Sequence, residues 1–214
     1  MIQAFKTWGM PKSVRFDNGK PLGDPQRKSL SELAVWLLSL GIIVIHNRPR
    51  QPTDNAKVER MQQTTKNWSN LEDCQDFEDL QQRLSYVLEV QRSKYRVSRL
   101  GRKTRMEVFP EISTNPRSYS SDLFDPQLAY EQLSKWTFVR KVSKHGQFSM
   151  FKGIYYLGTE YKRQYVSVQL CPKTINWKVF DANGKYIKAY SAQNLTAENI
   201  WNLTIYQKTF SNKN

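Results

Sequence analysis

The spacing of hydrophobic residues along the 214-residue chain predicts short mixed elements first, long helices next and closely spaced strands last. Met1 to Trp8 has the pattern of a helix end, stopped by Gly9 and Pro11. Ser13-Val14-Arg15-Phe16 reads as a short strand running into Asp17, with a turn at Asn18-Gly19 and a loop over 20–25. Ser29-Leu30-Ser31-Glu32 has the S-x-x-E form of a capping box. It opens a helix through Leu40, with Leu33, Trp36, Leu37 and Leu40 on one face and Gly41 as its C-cap. The β-branched run Ile42–Ile45 predicts a buried strand. Strand, helix and strand in this order suit a parallel pair in an α/β layer.

Arg48-Pro49-Arg50-Gln51-Pro52 predicts a rigid, extended, basic loop, after which Thr53 or Asp54 can cap a helix. In that helix Val58, Met61 and Trp68 fall on a core-facing side. Glu59, Gln62, Gln63 and Lys66 fall on another side, at i, i+3, i+4 and i+7, a stripe that also suits a solvated helix face. Glu72 to Tyr95 predicts a long amphipathic helix with Phe77, Leu80, Leu84, Val87 and Leu88 inside. Residues 113–125, rich in Ser, Asn, Asp and Pro, read as linker, followed by a short helix from Asp125-Pro126 to Leu133.

From Trp136 the period becomes two. WTFVRKVS, QFSMFKGIYYLG, QYVSVQL and NWKVFDANGKYIKAY predict about five strands, with Asn183-Gly184 as a hairpin turn. Strands this short and close suit a small closed barrel. Residues 191–214 read as a polar tail with room for one further helix, and no internal repeat is present. The domains expected are therefore 1–112, a linker at 113–135, a β module at 136–190 and the tail.

Charge sharpens this division. The formal net charge is +14. Surpluses of six over residues 92–117 and eight over 136–190 account for all of it. Positive charge concentrated in this way is the footprint of a polyanion partner. Cys74 and Cys171 stand too far apart to suggest a disulfide framework or a zinc site, and His46 and His145 add no ligand cluster. No signal peptide is apparent, and the longest apolar run, Leu33 to Ile45, is broken by Ser39 and Gly41. The expectation is an intracellular, cytoplasmic protein without a membrane partner.

Two carboxylates carry the candidate chemistry. Asp17 is expected at a strand end and Glu59 in the opening turns of a helix. Acids delivered from such positions can share a divalent cation and act on phosphodiesters. Each also has a plain structural reading: Asp17 as the cap of its turn and Glu59 as a surface acid.

Four stretches resemble, in order, parts of the integrase and transposase superfamily with an RNase H-like catalytic core. The pattern is most similar to bacterial insertion-sequence transposases of the integrase type. FDNG at 16–19 resembles the region of the second catalytic aspartate. PRQPTDNAKVER at 49–60 resembles the proline-rich turn, Asn and Glu around the third acid. VQRSKYRVSRLGRKTRMEVFP at 90–110 looks like the arginine-rich tail that follows the core. The basic module at 136–190 is similar to the SH3-like C-terminal DNA-binding domain of the integrases and of phage Mu transposase.

The fold this implies is α/β plus all-β: the C-terminal part of an RNase H-like core, a helical basic linker and a small SH3-like β-barrel. Asp17 and Glu59 would be catalytic and would hold Mg²⁺ or Mn²⁺. Asn55 would be structural or stand near the scissile strand, and Lys66 would hold DNA. Arg99, Arg102 and Lys103 of the tail, and Arg140, Lys141, Lys162 and Arg163 of the barrel, are the remaining candidate DNA contacts. The partners implied are double-stranded DNA (element ends and target) and a further copy or an intact transposase, in the bacterial cytoplasm at the nucleoid.

The family's first aspartate lies well ahead of the DNG motif, whereas the sixteen residues before Asp17 contain no acid. The resemblance thus implies a truncated form that is inactive alone, with open edges on its first two strands. The alternative is a non-catalytic DNA-binding module that regulates a transposase or remains from one.

Overall fold

A computed structural model describes residues 1–17, 19, 30–48, 51–114 and 117–206. In chain order the first elements are α1 (Ile2–Trp8), β1 (Ser13–Phe16), α2 (Glu32–Ser39), β2 (Ile43–His46), α3 (Ala56–Ser69), α4 (Phe77–Glu89) and α5 (Arg105–Val108). They are followed by α6 (Pro126–Ser134), β3 (Phe138–Lys141), β4 (Gln147–Met150), β5 (Gly153–Tyr156), β6 (Tyr165–Cys171), β7 (Asn176–Phe180), β8 (Tyr186–Ser191) and α7 (Ala197–Trp201). The molecule mixes helix with largely antiparallel sheet. Its described residues form two compact units that interleave in sequence. One is drawn from Met1–Pro11 and Asn47–Tyr119, the other from Lys12–His46 and Ser120–Asn214.

The first unit is helical. Phe5 of α1 is buried against Tyr119, and the Trp8 ring lies 4.2 Å beneath the Arg92 guanidinium. The N-terminal helix therefore has partners, supplied by sequence a hundred residues away. Helix α4 begins at Asp76, whose carboxylate accepts from Asp79 N at 2.8 Å, and it ends in a π turn over Val90–Lys94. The single helix expected over 72–95 thus starts later, because an exposed capping side chain satisfies the helix amides only from Asp76 onward, and it changes from α to π geometry in its last turn. Phe77, expected inside, is 78% exposed. Val58, Met61 and Trp68 of α3 are likewise exposed. In a unit built of so few helices, α4 and the segment after it cover only part of α3.

In the second unit β1 and β2 pair in parallel, with Ser13 opposite Ile43 and Phe16 opposite His46, as the strand–helix–strand order predicts. Among the described residues these two strands make a complete sheet. Ile42 is buried, but Ile43 is 56% exposed and Ile45 also faces out. The fully buried strand expected here is not found, because α2 packs beside β2 and a two-stranded ribbon leaves alternate residues uncovered. The cap of α2 is Ser31, whose hydroxyl accepts from Ala34 N at 3.1 Å. Ser29 of the expected capping box lies outside the described residues, as do Asn18 and the 20–25 loop. The one-sided face expected for α2 is instead burial from Ala34 through Ser39, since α6 and α7 pack against it.

Helix α6, capped by Asp125, buries Ala129, Tyr130 and Leu133. The stretch after residue 191 also packs as core: Ala192, Leu195, Ile200 and Ile205 are buried, and Tyr206 OH donates to Leu30 O at 2.6 Å. The polar tail expected from 191 is therefore replaced by core as far as Tyr206, and 207–214 lie outside the described residues. Strands β3, β6, β7 and β8 form one antiparallel sheet in the order β3-β6-β7-β8, and β4 and β5 form a separate hairpin. Among the described residues this ladder does not close into a barrel.

Six strands form here rather than about five. QFSMFKGIYYLG folds back on itself at Phe151 and Lys152, which adopt φ of 46° and 64°. That turn lacks the expected Gly or Asn. Phe151 is held there by burial, stacked 5.6 Å from Trp177 and 5.4 Å from Tyr206. The hairpin at Asn183-Gly184 forms as the turn residues predict: Asp181 Oδ1 accepts from Asn183 N and Lys185 N, and Gly184 takes φ 79°.

Candidate nucleic-acid interface and acidic residues

Asp17 immediately follows β1, the position expected for it. Its side chain is exposed, and Oδ1 accepts from Gly19 N at 3.1 Å, which closes an Asx turn. Asp17 belongs to the second compact unit.

Glu59 belongs to the first unit and lies in the first turn of α3, where the helix amides favour a carboxylate. Asn55 Nδ2 donates to Glu59 Oε1 at 3.1 Å. Ahead of them the chain is clamped by Arg48 and Asp54: Nη2 to Oδ1 at 2.7 Å, Nε to Oδ2 at 3.1 Å and the Arg48 backbone N–H to Oδ2 at 3.0 Å. Asp54, read as a possible helix cap, instead accepts from Arg48, and the hydrogen bond raises the guanidinium pKa further. Asn55 takes the N-cap position without a side-chain cap bond. Pro49 and Arg50 of the expected basic loop lie outside the described residues. Lys66 is exposed two turns beyond Glu59, in the last turn of α3, where a cation suits the helix C-terminus.

Both acids offer hard oxygen donors of the type that Mg²⁺ and Mn²⁺ prefer. Among the described residues, no three His, Cys, Asp or Glu side chains come together as a metal-binding group. Each of the two acids thus offers a single carboxylate to a divalent cation.

Arg99, Arg102 and Lys103 are brought together by a tight loop. Val97 N donates to Lys103 O at 3.0 Å, Gly101 and Arg102 adopt φ of 65° and 59°, and Arg96 Nη1 donates to Arg102 O. The three candidate cations stand exposed around this turn. At its foot, Thr104 and Glu107 form a full capping box, with Glu107 Oε2 accepting from Thr104 N at 2.6 Å and Thr104 Oγ1 from Glu107 N at 3.2 Å.

The β3–β6 pair assembles a second basic corner. Lys141 lies opposite Tyr165, with its ammonium 5.7 Å from the ring centroid. Val142 N donates to Gln164 O, and Arg163 N donates to Val142 O. These bonds bring exposed Lys162 and Arg163 to the same end as Lys141. Tyr165 was not among the sequence-based candidates. Its signal lay in the alternation of cation and aromatic, but only strand register shows which pairs meet.

Arg140 is placed differently. Its Nε donates to Ser149 O at 3.2 Å and Nη1 to Val139 O at 2.9 Å, its guanidinium lies over the Phe138 ring, and burial lowers its pKa. Its neighbours Val139 and Lys141 point to the opposite face of β3, as strand alternation requires.

No protein-family model matches the chain. No helix among the described residues is long and apolar enough to cross a membrane.

Proposed function

We propose that this chain is a DNA-binding protein of the transposase and integrase type, serving DNA integration and transposition at the bacterial nucleoid. In this reading it combines part of an RNase H-like core with an SH3-like DNA-binding module. It carries two of three catalytic acids and binds double-stranded DNA through the 99–103 loop and the Lys141–Tyr165 corner. The observation that carries the reading is the setting of Glu59: first turn of α3, Asn55 on its carboxylate, and a clamped loop just ahead. Asp17 at the end of a parallel strand supports the same reading.

In this reading Asp17 and Glu59 are each a ligand for Mg²⁺ or Mn²⁺. A bound ion would supply Lewis acidity to a phosphodiester and ease deprotonation of the attacking hydroxyl. Asn55 orients the Glu59 carboxylate, and Lys66 adds positive charge for a phosphate.

The second reading is a binding module that uses no carboxylate chemistry. The exposed corner of Lys141, Lys162, Arg163 and Tyr165 favours it, since neither acid takes part in building that corner.

Fluorescence anisotropy on labelled duplex DNA across a salt series tests both readings. Affinity is expected to fall steeply with salt, to survive Asp17→Ala and Glu59→Ala, and to drop when Lys141, Lys162 and Arg163 are neutralised together. Binding insensitive to salt would overturn both readings. Mg²⁺-dependent joining of DNA ends that Asp17→Ala and Glu59→Ala leave unchanged would overturn the roles given to the two acids.

A further inference from the structure

The helical unit contains an open groove of about 700 Å³ between the start of α3 and the segment that follows α4. Its lining includes Val58 and Met61, both exposed large apolar side chains. Lys57, Arg60, Arg99 and Arg105 line it, and no acidic residue does. Arg105 is held by a bond from Nη1 to Gln91 O at 2.6 Å. Lys57, Arg60 and Arg99 have no carboxylate partner among the described residues. A lining that combines exposed apolar side chains with unneutralised cations suits an apolar side chain flanked by acids better than it suits a bare phosphate backbone.

The chain itself carries such a segment. Leu71–Leu80, LEDCQDFEDL, holds five of the chain's 19 acids and no base. At its centre Phe77 is 78% exposed, the most exposed large hydrophobic residue among those described, with Glu78 exposed beside it. Asp76 and Asp79 are engaged in capping α4 and pairing with Arg83, but Glu72, Asp73 and Glu78 remain toward solvent. This segment does not line its own groove. Helix α4, 13 residues and so about 20 Å long, separates Phe77 from Gln91 at the groove wall.

We infer that the groove is a docking site for the Leu71–Leu80 segment of a second copy of this chain. Phe77 is the anchor against Val58 and Met61, and Glu72, Asp73 and Glu78 face Lys57, Arg60 and Arg99. Hydrophobic burial supplies affinity, and the charges set orientation and partner choice. The inference does not rest on catalysis, and of the groove's cations only Arg99 is also a proposed DNA contact.

Sedimentation velocity on nuclease-treated full-length protein, without DNA, tests it from micromolar to hundred-micromolar concentration. The expected result is a mass rising from 25.2 kDa to at least twice that value with increasing concentration, and weaker association in high salt. Phe77→Ser, at a surface position, should weaken association about 10-fold or more. Circular dichroism and the melting temperature of that variant confirm that it folds. Arg60→Glu and Glu78→Lys should each weaken association, and mixing the two variants should restore it, because each then presents the other's complement. A 25.2 kDa species at every concentration overturns the inference. So does association that ignores Phe77→Ser, or association that appears only when duplex DNA is added, which would assign the groove to nucleic acid. Loss of DNA binding with self-association intact would overturn the proposed function and leave the docking site standing.

Discussion

Asn55 Nδ2 donates to Glu59 Oε1 at 3.1 Å, one helical turn apart at the start of α3. The bond occupies one carboxylate oxygen and leaves the other for a ligand, so Asn55 would position a metal ligand without contacting the metal. If Glu59 holds a divalent cation as proposed, Asn55→Ala should weaken Mn²⁺ binding about 10-fold. The check is a titration of the purified protein with free Mn²⁺ read by electron paramagnetic resonance. The melting temperature should stay near that of the parent, because the bond is exposed. Equal Mn²⁺ affinity in the two proteins would remove Asn55 from the site.

The capping box of Thr104 and Glu107 makes the basic loop sensitive to acid. The hydrogen bond from the Thr104 backbone N–H, before any charge nearby, lowers the Glu107 pKa. The contribution of this carboxylate to stability is therefore complete above its ordinary unfolded value. It is lost as pH falls through the lowered folded value. Stability measured by urea denaturation should decline as pH falls below the ordinary glutamate range, and Glu107→Gln should flatten part of that decline. Thr104→Ala should cost about 1 kcal/mol at neutral pH.

The turn between β4 and β5 sets two residues against each other. Phe151 and Lys152 both have positive φ, but only Phe151 is buried. Lys152→Gly removes left-handed strain and adds unfolded-state entropy, for a net gain of about 0.5 kcal/mol. Phe151→Gly relieves the same strain but loses its stacking on Trp177 and Tyr206, for a net loss of about 3 kcal/mol. Thermal melts of the two variants should shift in opposite directions.

Arg163 separates binding from folding. It is exposed and has φ 63°, so glycine fits its backbone. Arg163→Gly should leave the melting temperature unchanged or raised, yet reduce the slope of log affinity against log salt by about one unit. Arg140→Ala should behave in the reverse way, lowering stability with little change in slope, since its guanidinium donates to two backbone carbonyls. Anisotropy titrations at several salt concentrations, beside thermal melts, distinguish the two positions.

Elements whose cause is local were legible in the residues themselves. Asp125 before Pro126 marks the start of α6, Gly9 ends α1, and Asn183-Gly184 makes a hairpin, because caps and turns depend on a few neighbouring backbone groups. The parallel pairing of β1 and β2 also followed from element order. For the candidate site, residue order placed Asp17 at a strand end and Glu59 at a helix start, and composition located both basic surfaces.

Contacts between distant segments decided the rest. Phe151 turns the chain without a turn residue because Trp177 and Tyr206, far along the chain, repay the strained backbone with aromatic burial. The stretch after residue 191 is core rather than tail because Tyr130 OH donates to Leu195 O and Tyr206 OH to Leu30 O. Val58, Met61 and Phe77 have the periodicity of buried residues yet stand in solvent. Periodicity determines which face of a helix is apolar, while burial requires a second surface to cover that face, and only the packed chain shows which faces receive one.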